Sequence, residues 1–146
     1  MILDRLQDPG NVGTLLRTAS SFGFEDVVFL KGTCSPFNHK SVASSEGALF
    51  HCHLHFEDGK ALIKRLQEEG YRVFGSALRQ ATPLEKEDLR QEKVALILGN
   101  EGQGMSQELL PLTDKNLKIS MEKMESLNVA MAGAILMHAF YAANLG

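Results

Sequence analysis

The feature that most constrains the fold is the run at residues 94–98, Val-Ala-Leu-Ile-Leu, which is apolar at every position. A strand with one face in water would alternate apolar and polar residues, so this run predicts a strand that is buried on both faces. Such strands are typical of parallel sheets covered by helices on both sides. The run therefore favours an α/β fold.

The rest of the chain alternates predicted strands with predicted helices. Strands are predicted at residues 1–6, 26–30, 51–56, 71–78, 94–98 and 117–119, and helices at 12–22, 58–69, 106–112 and 127–144. Asn11, which follows Pro9 and Gly10, is the expected N-cap of the first helix. At 146 residues the chain is expected to form one domain, residues 1–146, with a mainly parallel sheet flanked by helices.

Composition excludes several classes of protein. The formal net charge of −3 gives no overall basic field, so contact with a nucleic acid would need a local patch or another domain. Cys34 and Cys52 do not form a CxxC pair and no secretion signal is recognisable, so we expect reduced thiols and a cytoplasmic protein. The apolar segment 129–140 is shorter than the ~20 residues of a bilayer span and predicts a buried helix.

Residues 99–106, Gly-Asn-Glu-Gly-Gln-Gly-Met-Ser, have the glycine and serine spacing of a phosphate-binding P-loop. Met105 stands where the P-loop has its lysine, and Glu101 adds a negative charge, so a triphosphate is not the expected ligand. A dinucleotide fingerprint also fails, because Gln107 stands where its third glycine belongs. Since ligands of open α/β sheets bind beyond the carboxyl ends of strands, we expect a different ligand here, with a ligand-free turn as the alternative.

Two further polar groups have both a functional and a structural interpretation. Asn11 with Arg17 on the first helix, and Ser126-Leu127-Asn128 before the last, could belong to a site. Equally, Asn11 and Ser126 could be helix caps, and Arg17 a solvated surface residue.

Three histidines, His51, His53 and His55, alternate along a predicted strand and could bind zinc. Because the sequence offers no clear fourth ligand, we favour a partly exposed strand and predict no metal site.

Taken in order, the three polar regions resemble the three motifs of the SpoU/TrmH family of SPOUT RNA methyltransferases. The first is QDPGNVGTLLRTA at residues 7–19, the second is ILGNEGQGMS at 97–106, and the third is ISMEKMESLNVA at 119–130. The resemblance spans essentially the whole chain. Three motifs in the family's order are far more specific than any one of them.

The resemblance implies an α/β fold with a C-terminal trefoil knot, an exception to the rule that connections do not thread loops. It implies a homodimer, joined through the region of the last helix, that transfers a methyl group from S-adenosylmethionine to a ribose 2′-hydroxyl of rRNA or tRNA. By resemblance, residues 94–119 form the loop through which the end of the chain passes. Many relatives also carry an N-terminal RNA-binding domain, so we expect that such a domain, or residues of the first strand, are missing here.

The same resemblance assigns roles to individual residues. Arg17 is the expected catalytic arginine, Asn11 and Glu101 organise the site, and Ser126 and Asn128 position the arginine or the substrate. The expected cofactor-binding residues are Leu98, Gly99, Asn100, Gly102, Ile119, Met121, Ser126 and Leu127. Because an arginine normally stays protonated, we favour a role for Arg17 in stabilising the developing alkoxide over a role as general base.

Residues 119–125 depart from the family pattern, because they lack its proline and glycine and are one residue shorter before Ser126. We therefore expect a cofactor loop of different shape. Two alternatives stay open at this point. One is a non-catalytic knotted module for RNA binding or dimerisation. The other is a nucleotide-hydrolysing enzyme, which would need a phosphate-binding cation that the glycine loop lacks.

Overall fold

The computed structural model describes residues 1–123 and 126–145. Its seven strands form one parallel sheet in the order β3-β2-β1-β6-β4-β7-β5. The strands are β1 (Ile2–Asp4), β2 (Asp26–Leu30), β3 (His53–Glu57), β4 (Arg72–Ser76), β5 (Thr82–Pro83), β6 (Val94–Gly99) and β7 (Lys115–Lys118). The α-helices are α1 (Pro9–Ser21), α2 (His39–Ser45), α3 (Gly59–Glu68) and α4 (Val129–Ala143). Short 3-10 helices cover Ala48–His51, Leu84–Lys86 and Leu110–Leu112.

The two faces of the sheet carry separate hydrophobic cores, as the apolar run in β6 predicts. Leu96 and Leu98 belong to the core that includes residues of α1 and α4. Ala95 and Ile97 point the other way, into the core that includes residues of α3. Because alternate side chains of a strand point to opposite faces, every residue of this run is buried except Val94 at its start. The predicted α/β class with a mainly parallel sheet is confirmed.

The direction in which strands are added across the sheet changes between β1 and β6. From β1 the sheet continues to β2 and β3 on one side, and from β6 it continues to β4, β7 and β5 on the other. In open α/β sheets the crevice at such a switch point, beyond the carboxyl ends of the strands, is the usual binding position. The segments that follow β1 and β6 meet there.

Several local predictions are wrong. Asp8, and not Asn11, caps α1, because its carboxylate accepts hydrogen bonds from the N–H groups of Gly10 and Asn11, and Pro9 starts the helix. Likewise Asn128, and not Ser126, caps α4, since its side chain accepts from Ala130 and Met131.

Two further predictions of secondary structure need correction. His51 lies in a 3-10 helix, so it does not alternate with His53 and His55 along one strand. The helix predicted at residues 106–112 is reduced to a 3-10 turn at Leu110–Leu112, because Pro111 lacks the N–H that an α-helix would use there.

After β7 the chain returns across the sheet, since α4 packs against α1 and β6. The predicted knot depends on the path of residues 119–128, of which 124 and 125 lie outside the described residues. The knot therefore stays a prediction. In the part of the chain that the structure describes, no helix is both long and apolar enough to cross a bilayer.

Candidate active site at the carboxyl ends of the strands

The glycine-rich loop after β6 is closed by its own backbone and by Asn100. The Asn100 and Gly104 backbones exchange two hydrogen bonds of 3.0 and 2.9 Å. The Asn100 side-chain oxygen accepts from the N–H groups of Gly102 and Gln103, at 2.9 and 3.0 Å. These N–H groups are therefore already used inside the loop, whereas a P-loop needs them for phosphate.

Gly99 and Met105 explain the rest of the loop's sequence. A β-carbon on Gly99 would collide with the backbones of Gly104 and Met105, so only glycine permits this return of the chain. Met105 is 4% exposed and packs in the core beside Ile97. A P-loop lysine would have to bury its charge at this position, so the structure gives no support to phosphate binding by this loop.

Glu101 joins this loop to the start of α1. Its carboxylate accepts hydrogen bonds from the backbone N–H of Gln7 at 3.0 Å and of Asp8 at 2.9 Å. Partial burial works to raise the pKa of Glu101, but these N–H donors and the Asn11 side chain outweigh burial, and the pKa is lowered below its ordinary value. Glu101 is thus held as an anion that joins the second motif, to which it belongs, to the first.

Asn11 extends the contact to the third motif. The Nδ2 of Asn128 donates to the Oδ1 of Asn11 at 3.2 Å, while the Asn128 oxygen caps α4. The Asn11 side chain also helps to lower the pKa of Glu101, so Glu101, Asn11 and Asn128 form one polar cluster, which we call the Glu101 cluster. The structure brings together one residue from each of the three motifs.

A pocket of about 480 Å³ opens beside this loop at the carboxyl ends of β4, β6 and β7. Its size lies within the range of small-molecule sites, about 300–1,000 Å³. The predicted cofactor residues that line it are Gly99, Asn100, Gly102, Ile119, Met121, Ser126 and Leu127. Leu98 is fully buried in the core and does not line the pocket, whereas Glu101 is one of the lining residues.

Arg17 stands apart from the pocket within one chain. Its guanidinium pairs with Glu46 at 3.0 Å, and 59% of its side chain is exposed. It is not among the residues that line the pocket. The arrangement of a single chain therefore supplies the binding cavity and the Glu101 cluster, but not the predicted catalytic arginine.

The sequence pattern did not identify two residues, Asp4 and Arg5, that hold the glycine-rich loop in place. The buried carboxylate of Asp4 accepts from the backbone N–H and the hydroxyl of Ser106, at 2.6 and 2.9 Å. Arg5, with a positive φ of 62°, donates to the Gly104 carbonyl at 3.2 Å. The one signal for Asp4 in the sequence was its position, as an acidic residue at the end of a buried strand.

The structure gives no support to zinc binding by His51, His53 and His55. His55 pairs with Asp26 at 3.0 Å, and their side chains are 43% and 71% exposed. Among residues 1–123 and 126–145, no three or more His, Cys, Asp or Glu side chains are grouped closely enough to hold a metal ion.

Comparison with known proteins agrees with this geometry. The profile of the SpoU rRNA Methylase family matches residues 1–138. The chain is 41% identical over 139 residues to the 23S rRNA (guanosine(2553)-2′-O)-methyltransferase RlmP of Bacillus subtilis, covering 94% of this chain and 56% of that protein.

Two solved structures share the fold. One is the AdoMet-bound rRNA methyltransferase of Sinorhizobium meliloti, with 27% identity, a TM-score of 0.92, and coverage of 99% of this chain and 56% of that one. The other is the SpoU methyltransferase AviRb of Streptomyces viridochromogenes in complex with AdoMet, with 25% identity, a TM-score of 0.86, and coverage of 97% and 58%.

The chain thus spans slightly more than half the length of these proteins. The matched residues contain all of the pocket and the Glu101 cluster that lie within the described structure. The chain belongs to the SpoU rRNA methylase family.

Proposed function

We propose that this chain is an RNA methyltransferase domain that moves a methyl group from S-adenosylmethionine to a ribose 2′-hydroxyl. The observation that carries the proposal is the pocket at the carboxyl ends of β4, β6 and β7, which all three family motifs help to build or support. RlmP, by its name, methylates a guanosine of 23S rRNA, so we propose large-subunit rRNA as the first substrate to test, before tRNA.

The pocket suits S-adenosylmethionine on physical grounds. Apolar side chains such as Leu78, Ile119 and Leu127 form part of its wall, and the loop offers backbone close to the cavity. Glu101 belongs to the wall, and its lowered pKa keeps its carboxylate ionised. S-adenosylmethionine carries its transferable methyl on a cationic sulfur, which a fixed negative charge favours.

The chain's own residues have to align the hydroxyl and stabilise its developing negative charge. A ribose hydroxyl is a weak nucleophile at neutral pH, so alignment and electrostatic stabilisation are the two contributions that the protein can make. We propose that the Arg17 guanidinium stabilises the oxygen. In this proposal Asn11, Ser126 and Asn128 position the RNA, and Glu101 fixes the loop that forms the pocket wall.

A second copy of the chain would supply an Arg17 to the pocket, because the Arg17 of the same chain lies outside it. Helices α1 and α4 lie side by side, because Asn11 contacts Asn128 at one end and the Phe22 ring packs against His138 near the other. Exposed apolar side chains follow on α4 and after it, namely Met131, Ile135, Tyr141 and Leu145. We propose that this face joins two copies and brings Arg17 of one to the pocket of the other.

Calorimetry with S-adenosylmethionine and mapping of 2′-O-methyl sites test the activity together. We expect saturable binding to the pocket, and loss of one 2′-O-methyl site in total RNA from cells that lack the gene. A folded dimer that binds no cofactor would instead favour an RNA-binding or dimerisation scaffold. Turnover of ATP would revive the nucleotide-hydrolysing alternative.

Mixing two inactive variants tests the shared site. Arg17→Ala removes the arginine, and Gly102→Phe fills the pocket, so each homodimer should be inactive. If each site uses residues of both copies, the mixture should regain up to about a quarter of the wild-type activity, since half of the dimers are mixed and each mixed dimer has one intact site of two. No recovery after subunit exchange would show that Arg17 of one copy does not act at the pocket of the other.

We also propose that the protein acts in the cytoplasm, where rRNA and tRNA are made in bacteria.

A further inference from the structure

An exposed phenylalanine stands at the tip of a turn beside the site. Phe37 is 63% exposed, and the residue before it, Pro36, is buried and anchors the turn. The Phe37 N–H donates to the Ser35 hydroxyl at 3.0 Å, and the Asn38 N–H donates to the Ser35 carbonyl at 3.3 Å. The ring is therefore presented to solvent by a hydrogen-bonded turn, directly before Asn38, the N-cap of α2.

The segment that carries Phe37 is tied to the residues that Glu101 holds. The Arg5 N–H donates to the Thr33 hydroxyl at 2.9 Å, and the Cys34 N–H donates to the Leu6 carbonyl at 2.8 Å. The Gln7 side chain donates to the Gly32 carbonyl. Glu101 binds the N–H of Gln7 itself, so the turn and the Glu101 cluster are fixed to one short stretch of chain.

The charge of this region differs from that of the whole molecule. The chain carries a formal net charge of −3, yet residues 27–45 contain no Asp or Glu. Within them Lys31, His39 and Lys40 are exposed on either side of Phe37 along the chain. Lys40 extends toward the start of α1, because a β-carbon on Gly10 would lie 4.0 Å from its Cε.

We propose that residues 31–40, the Phe37 turn, bind an unpaired segment of the RNA substrate, with the Phe37 ring stacked on a base. Lys31, His39 and Lys40 would contact the phosphates on either side of that base. An aromatic ring flanked by cations is the arrangement that binds single-stranded RNA, whose unstacked bases expose a π face. This inference rests on the proposed function and specifies its substrate: a loop or bulge rather than a continuous duplex.

The charges nearest to the turn are compatible with this partner. Burial raises the pKa of the Cys34 thiol in this segment, and the negative charges of Glu101 and Asp8 raise it further. The carboxylate of Asp8 accepts from the N–H groups that start α1, and that of Glu101 accepts from Gln7 and Asp8. Both negative charges are thus directed to backbone donors, while the lysines remain at the surface.

Phe56 provides a matched control for Phe37. It is exposed to a similar extent, 61%, but lies on the edge strand β3, followed by the acidic pair Glu57 and Asp58. Leucine at either position keeps an apolar side chain and removes the aromatic face. For a fluorescein-labelled RNA stem-loop with an unpaired uridine-rich loop, we expect Phe37→Leu to raise Kd roughly tenfold. Phe56→Leu should change it less than about twofold.

Photocrosslinking locates the contact directly. With 5-iodouridine in the unpaired loop, we expect the crosslinked peptide of the wild-type protein to contain Phe37, and the crosslink to disappear with Phe37→Leu. The fully base-paired version of the same RNA should bind more weakly. Crosslinks confined to other segments, equal Kd values for wild type and Phe37→Leu, or no binding of the stem-loop would each overturn the inference.

Methyl transfer to an unmodified 23S rRNA transcript separates this inference from the proposed function. If the wild type transfers methyl groups and Phe37→Leu has an unchanged KM for RNA, the turn has no role and the activity stands. If RNA binding depends on Phe37 but neither protein transfers a methyl group, the RNA surface is supported and the proposed activity fails.

Discussion

Helix α1 supplies two residues of the same motif to very different surroundings. Asn11 lies inside the Glu101 cluster, where it is bonded to Asn128 of the third motif. Arg17, six residues later, pairs with Glu46 in solvent. One chain therefore assembles the pocket and the Glu101 cluster, whereas Arg17 lies outside the pocket of its own chain. Under the proposed function, a second copy brings Arg17 to the pocket.

The largest expected effect separates these two regions by activity. Arg17→Ala should lower methyl transfer about 100- to 1,000-fold, the cost of removing a group that stabilises charge in a transition state. Because Arg17 is outside the pocket of its own chain and is proposed to act on the ribose oxygen, calorimetry should show an unchanged affinity for S-adenosylmethionine. Arg17→Lys is the control that keeps the charge but not the planar fork. Turnover of Arg17→Ala at the wild-type rate would remove Arg17 from the mechanism.

The next effect breaks the pocket and leaves Arg17 untouched. Gly99→Ala places a methyl group against the Gly104 and Met105 backbones, so we expect a loss of about 1–3 kcal/mol in the free energy of unfolding. Cofactor binding should weaken as well. Gly102→Ala is the matched control, because the nearest atom to its added carbon is 3.7 Å away. Urea unfolding of both variants measures the difference, and equal stabilities would show that the loop can open to accept the methyl group.

The fold and the site could be predicted from the sequence to different extents. The run at residues 94–98 predicted β6 and the parallel sheet, because burial on both faces leaves a local pattern. The Asn11 cap failed because two polar residues near one helix start, Asp8 and Asn11, are equally suitable by type. Their order along the chain does not decide which one caps the helix.

The contacts that build the site join distant parts of the chain. The bond from the Gln7 N–H to Glu101 spans 94 residues, and that from Asn128 to Asn11 spans 117. Motif resemblance placed these residues in one site, although no local pattern requires them to meet. The Arg17 pair with Glu46 was missed, because Glu46 reaches it only through the packing of α2 on α1 at Gly13.

Asn128 distinguishes the structural part of the Glu101 cluster from its functional part. Asn128→Ala removes the α4 cap and should cost about 1 kcal/mol of unfolding free energy. Asn128→Asp keeps the acceptor for the cap but has no N–H to donate to Asn11. We therefore expect thermal unfolding to show near-normal stability for Asn128→Asp, with methyl transfer still reduced. Full activity of Asn128→Asp would show that the bond to Asn11 has no function.

The pH dependence of stability tests the state of Glu101. Its lowered pKa means that its carboxylate stabilises the fold fully above the ordinary value of 4.5, and that this contribution is lost as pH falls through the folded-state pKa. The stability difference between wild type and Glu101→Gln should thus be largest at neutral pH and shrink in acid. Urea unfolding over a pH series measures it. A difference independent of pH would contradict the bonds to Gln7 and Asp8.

The smallest effect is expected for the exposed ion pair. Glu46→Gln should change unfolding free energy by less than about 1 kcal/mol, because exposed pairs contribute little to stability. Thermal unfolding with and without added salt checks this. A large loss would mean that the pair is a structural element, and that Arg17 is held at its position for stability.

Transfer of tritiated methyl from S-adenosylmethionine to unmodified 23S rRNA, followed by nucleoside analysis, tests the central claim most directly. The proposed function predicts label in a 2′-O-methylated nucleoside, and its loss in Arg17→Ala at unchanged cofactor affinity. Label on a base, or no label in RNA from a protein that binds the cofactor, would contradict it.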